Sequence, residues 1–267
     1  MYLWNTNTYF TKEILEVGEK LESLGLSVFK VMLTLILCLA GLLSTIYVAL
    51  TSNELFSYFY CLATVPFVAL PFIMSIFFRW KMNLFFYILF SFYAVGPLLG
   101  AVYNFYYLIS WWDVLLHVLA GTVFAVVGAQ LTNVLNKNDN TSYVFAAIFG
   151  VLLSIVIAVL WEFFEYGCDT FLNSDMQADT IISVINTKIN RTDGITDVFN
   201  NISETLVNGQ SLGVNGYLDI GLIDTMHDMI NETLGALVFA VYVLIDRDRH
   251  PMILSLKTKS QTMTNNQ

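Results

Sequence analysis

Three clusters of acidic residues stand at the ends of apolar runs, and each carries groups able to hold a cation or move a proton. Trp111-Trp112-Asp113-Val114-Leu115-Leu116-His117 places a carboxylate and an imidazole four residues apart, on one face of a helix, with Gly121 a turn further on. Trp161-Glu162-Phe163-Phe164-Glu165 sets two carboxylates three apart, and Asp169 follows four beyond Glu165. Asp224-Thr225-Met226-His227-Asp228-Met229-Ile230-Asn231 sets two more four apart, with Gly235 beyond. Gathered without a cation, these carboxylates would repel one another, so their convergence at membrane depth requires a metal, shared protons or a basic ligand. Carboxylates with one or two imidazoles suit zinc, manganese or iron, whereas carboxylate oxygens alone suit calcium or magnesium. The candidate ligands of a divalent metal are therefore Asp113, His117, Glu162, Glu165, Asp224 and Asp228, with Glu162 or Glu165 as the candidate catalytic base.

A plainer explanation is that helix ends carry acids because they meet water, and that Asp113 and Asp224 complement helix N-termini. Glu162 and Glu165 count against it, because they sit near a helix C-terminus, where the dipole disfavours them. His117 taken alone reads as a core histidine, and Asp113 one turn before it favours a ligand. His227 fits a cap or a loop-facing side chain, and Cys168 beside Asp169 a structural thiol. Trp111, Trp112 and Trp161 read as an interfacial aromatic belt.

The elements that position these groups are membrane spans. With 57% hydrophobic and 12% charged residues, the chain carries more apolar surface than a soluble core of this length uses. Six runs are long enough to cross a hydrocarbon layer: 29–50, 57–78, 83–107, 112–133, 142–167 and 221–245. The expected fold is all-α, a polytopic membrane bundle of about six helices. Lys12, Lys20, Lys30, Arg79, Lys81, Lys137, Arg247, Arg249, Lys257 and Lys259 fall on one side of this arrangement, and Lys188 and Arg191 on the other. The bias of basic residues puts both termini in the cytoplasm of a multi-pass cell-membrane protein, and all three acidic clusters near the outer interface. Pro66, Pro71 and Pro97 are expected to kink the second and third spans.

Residues 1–28 carry Phe10, Ile14, Val17, Leu21, Leu24 and Val28 at steps of four and three between charged residues. They are expected to form a cytoplasmic amphipathic helix, lying on the inner surface or packed on the cytoplasmic loops. Residues 29–250 form the transmembrane domain, and 251–267 a disordered cytoplasmic tail. The loop 168–220 is acidic and external, a cap or lid over a site or a solvated connection, with turns at Asn208-Gly209 and Asn215-Gly216. The net charge of −9 excludes a nucleic-acid partner. Cys38, Cys61 and Cys168 are too few and too scattered for a disulfide framework.

The ordered set Asp-x-x-x-His, Trp-Glu-x-x-Glu and Asp-Thr-x-x-Asp, over roughly residues 110–245, resembles the YjdF-like bacterial inner-membrane proteins of unknown function, and more distantly the VanZ-like proteins associated with glycopeptide tolerance. The resemblance implies a bacterial membrane location, with Asp113, His117, Glu162, Glu165, Asp224 and Asp228 as the matching positions. The loop 168–220 is larger than that family leads one to expect.

Three functions follow as expectations. The first is a metal-dependent hydrolase or transferase acting on a lipid or lipid-linked envelope precursor at the outer leaflet, with membrane lipids as its partners. The second is an ion-coupled transporter, disfavoured by the sparse polar residues deeper in the spans, Thr122, Gln130 and Ser154, and by the lack of an inverted repeat. The third is a membrane scaffold whose acids bind a partner or a structural ion.

Overall fold

A computed structural model describes residues 15–52, 54–78, 80, 82–135, 142–189 and 193–245. The expected tail, 251–267, and the first half of the amphipathic segment lie outside the described residues. Helix α1 covers 15–23 and is followed by α2 (Val28–Thr51), α3 (Leu55–Phe78), α4 (Leu84–Val102), the short α5 (Phe105–Leu108), α6 (Trp112–Leu135), α7 (Tyr143–Leu172) and α8 (Leu222–Ile245). Six of them, α2, α3, α4, α6, α7 and α8, are long and apolar enough to cross a membrane.

In lipid a helix must satisfy its own polar groups. Hydroxyls within the spans donate back to carbonyls four residues earlier, as Ser44 does to Ala40, Thr64 to Tyr60, Ser75 to Pro71 and Ser91 to Tyr87. The side chains of Ser27 and Asn83 accept the Lys30 and Phe86 N–H groups and so cap α2 and α4. Helices α3 and α4 run on as single elements through Pro66, Pro71 and Pro97.

Two expected boundaries move. The third span ends at Val102, not 107, because Asn104 adopts a left-handed backbone (φ 62°) before α5 restarts the helix. Hydropathy continues through Phe105, Tyr106, Tyr107 and Leu108 and cannot register that turn. The fifth span runs on to Leu172, so the loop begins later than 168. There Asp169 receives the Ser174 hydroxyl and the Met176 and Gln177 N–H groups, which ends the helix with its chain folded back.

The chain divides into two compact units, Met1–Ser154 with Glu232–Gln267, and Ile155–Asn231. The first holds the main apolar core, built among others from Val68, Phe86, Phe90, Val126, Phe239 and Val243. Lys30, counted from sequence with the charges preceding the first span, lies buried in the first turn of α2, where its Nζ donates to Gly25 O at 2.7 Å and Met82 O at 2.5 Å. Trp112 is buried rather than part of an interfacial belt. Its Nε1 donates to Gly96 O at 3.2 Å and its ring meets Phe92 and Phe105 edge-on. Within the same unit α6 and α8 touch backbone to backbone, since a Cβ at Gly121 would run into the Glu232 carbonyl and one at Gly235 into the Val118 carbonyl. Thr122 Oγ1 bridges that contact, donating to Val118 O or Gly235 O at 3.1 and 3.2 Å.

The second unit joins the end of α7 to the start of α8 through three antiparallel two-stranded sheets: β1 (Ile181–Ile182) with β6 (Tyr217–Leu218), β2 (Ile185–Thr187) with β3 (Asp197–Phe199), and β4 (Leu206–Val207) with β5 (Gln210–Ser211). Asn208 and Gly209, at φ 53° and 78°, make the hairpin turn expected of that dipeptide.

Candidate functional site

In the second unit, α7 presents Glu162 and Glu165 one turn apart, and α8 presents Asp228. Their exposures are 5%, 7% and 4%, so all three acids are inside the protein. Each offers a carboxylate oxygen, and these oxygens lie within 4.8 Å of one another. That spacing matches what a shared cation or shared protons requires and is what bare carboxylates avoid. The i, i+3 step on α7 aims both glutamates to one side, and Asp228, in the second turn of α8, answers them.

Asp224, the other acid of that helix, has a contact of a different kind. Its Oδ2 accepts the Ala178 N–H at 2.8 Å, while Gln177 Nε2 donates to the neighbouring Thr225 hydroxyl. Together with Asp169, these bonds fasten residues 174–178 to the end of α7 and the first turn of α8. Asp219 Oδ2 accepts the Ile223 N–H at 2.7 Å and so supports the start of α8. Outside the spans, partial desolvation first, then the charges of Asp179 and Asp169, raise the carboxyl of the still exposed Asp175. His227 is exposed and Cys168 is a buried free thiol.

In the first unit, Asp113 and His117 pair as their spacing implied, with Oδ1 and Nε2 3.7 Å apart. The imidazole is mostly enclosed and the carboxylate half exposed, an arrangement able to orient a ring for proton transfer or ligation. The same unit contains an acid that the sequence reading passed over. Glu232 is 3% exposed and accepts from the Ser154 hydroxyl at 3.4 Å, a donor that also reaches Gly121 O at 3.2 Å. The signal for it lay in the numbering: Asp224, Asp228 and Glu232 succeed one another at steps of four along α8.

The family model described as Predicted membrane protein (DUF2238) matches residues 31–249. The chain belongs to this family. The match takes in all of the six spans except the first three residues of α2, includes Asp113, Glu162, Glu165, Asp224, Asp228 and Glu232, and accords with the likeness to YjdF-like membrane proteins. Comparison of this DUF2238 chain with curated proteins and with solved structures found no match.

Proposed function

We propose that this membrane protein is a metal-dependent hydrolase or transferase acting on a lipid or lipid-linked envelope precursor at the outer leaflet. The observation that carries the reading is the convergence of Glu162, Glu165 and Asp228, three buried carboxylates within 4.8 Å of one another. Charges withdrawn from water cost several kcal/mol each unless compensated, and a divalent cation compensates two at once. A set of oxygens alone favours magnesium, calcium or manganese. Asp228 and one glutamate would hold the ion, which when bound polarises a phosphoryl or carbonyl oxygen and makes bound water nucleophilic. The other glutamate would act as general base. The distribution of basic residues supports an orientation with both termini in the cytoplasm and this layer outside.

A second reading, an ion-coupled carrier, draws support from Glu232. This buried acid stands one turn further along α8 and takes a bond from Ser154, at a depth where an enzyme of the outer interface needs no charge.

Reconstituted protein incubated with phosphorylated lipids separates the two. Headgroup release that stops on chelation and in Glu165→Gln is the expected result. Cation- or proton-coupled uptake lost in Glu232→Gln, with no release of headgroup, would replace the enzyme reading by the carrier.

A further inference from the structure

We propose that the β4–β5 hairpin, residues 205–212, inserts into the lipid interface on the side where α7 ends and α8 begins. Residues 173–221 have no apolar core of their own: among the described residues of this stretch no hydrophobic side chain is buried, and Ile181, Val198, Phe199, Leu206, Val207 and Ile220 are half or more exposed. In the hairpin, Leu206 pairs with Ser211 and Val207 with Gln210, so the two apolar side chains, 60% and 51% exposed, point to opposite faces. A protein partner or a second copy laid on one face leaves the other in water. Lipid surrounds both. A lone two-stranded hairpin is marginally stable in water at best, so this one gains from such an environment.

Charge points the same way. Residues 205–218 contain no Asp, Glu, Lys, Arg or His, whereas Glu204 and Asp219 bracket the stretch and Asp175, Asp179, Asp193 and Asp197 occupy the rest of the loop. The uncharged finger can leave bulk water without burying an ion. Further along the chain, Ile220 and then Leu222, Met226 and Ile230, the last three at steps of four on α8, are exposed apolar residues, and α8 is long and apolar enough to cross a membrane. Tethering by spans at both ends keeps the finger at high effective concentration beside the bilayer. Unpaired strand edges confine it to the headgroup level, where water still satisfies the backbone.

The test is full-length protein, one copy per phosphatidylcholine nanodisc, carrying an environment-sensitive fluorophore on Val207→Cys or, as a water-facing reference, on exposed Lys188→Cys. Wild type labelled in parallel gives the background from Cys38, Cys61 and Cys168. The expected result is a blue-shifted Val207 label, quenched by nitroxide placed high on the lipid acyl chain and several-fold less by aqueous iodide than the Lys188 label. Equal iodide quenching at the two positions would overturn the proposal. So would protection from iodide without nitroxide quenching, which would mean that protein covers the hairpin.

Discussion

The two units bury different things. In the unit formed by Met1–Ser154 with Glu232–Gln267, the interior is mainly apolar side chains and small residues, with buried polar groups such as Lys30, Thr34 and Ser91 bonded to carbonyls or hydroxyls nearby and the buried acid Glu232 taking a bond from Ser154. Among the described residues of Ile155–Asn231 the buried side chains are Ala158, Cys168 and three acids. An interior of the first kind is stable on its own terms. Carboxylates drawn together inside a protein need their charge offset, and that is the requirement the proposed cation would meet.

The largest effect is expected at the contact between α6 and α8 within the first unit. Gly235→Leu drives a side chain into the Val118 carbonyl, where backbone cannot yield, and is expected to cost about 3 kcal/mol, the upper end of overpacking. Thermal unfolding in detergent should reveal the loss equally with and without divalent cation. Wild type should gain about 2.7 kcal/mol when a suitable cation is raised to 100 times its Kd, and Asp228→Asn should gain little. Under chelation the order should reverse, with Asp228→Asn the more stable, because one of three crowded charges is gone. A cation effect equal in both proteins would remove the distinction between the units.

Lys30→Met strips the donor from Gly25 O and Met82 O and should cost about 2 kcal/mol, again irrespective of cation. The smallest effect concerns Asp175. With its carboxyl raised by partial desolvation and by Asp179 and Asp169, the folded state holds its proton more tightly than the unfolded chain does. Its contribution therefore favours folding below the unfolded value, near pH 4, and is lost as pH rises through the folded one. Asp175→Asn should raise the unfolding temperature slightly at pH 7 and leave it unchanged at pH 3, as paired thermal melts would report.

The spans were legible because length and apolarity are what a bilayer demands, and four of the six runs lie within two residues of the helices at both ends. What misled was backbone geometry inside apolar sequence, at Asn104, and a helix carried past its polar residues to Leu172. The β-structure of the loop announced itself in one place, Asn208-Gly209, since strands of two or three residues are too short to show alternation. At the site, the pairing of Glu162 with Glu165 and of Asp113 with His117 followed from helical spacing. Neither the anchoring of Asp224 to Ala178 nor the burial of Glu232 could be read that way, because both depend on which residues of other segments lie opposite.

Whether Glu162, Glu165 and Asp228 hold a metal is decided by elemental analysis of detergent-purified protein, wild type against the Glu162→Ala and Asp228→Ala double variant. A near-stoichiometric divalent metal in the wild type, lost in the variant, is the expected result. No metal in either, from protein purified without chelator and in the presence of divalent salts, would contradict it and leave shared protons as the means by which three carboxylates lie together.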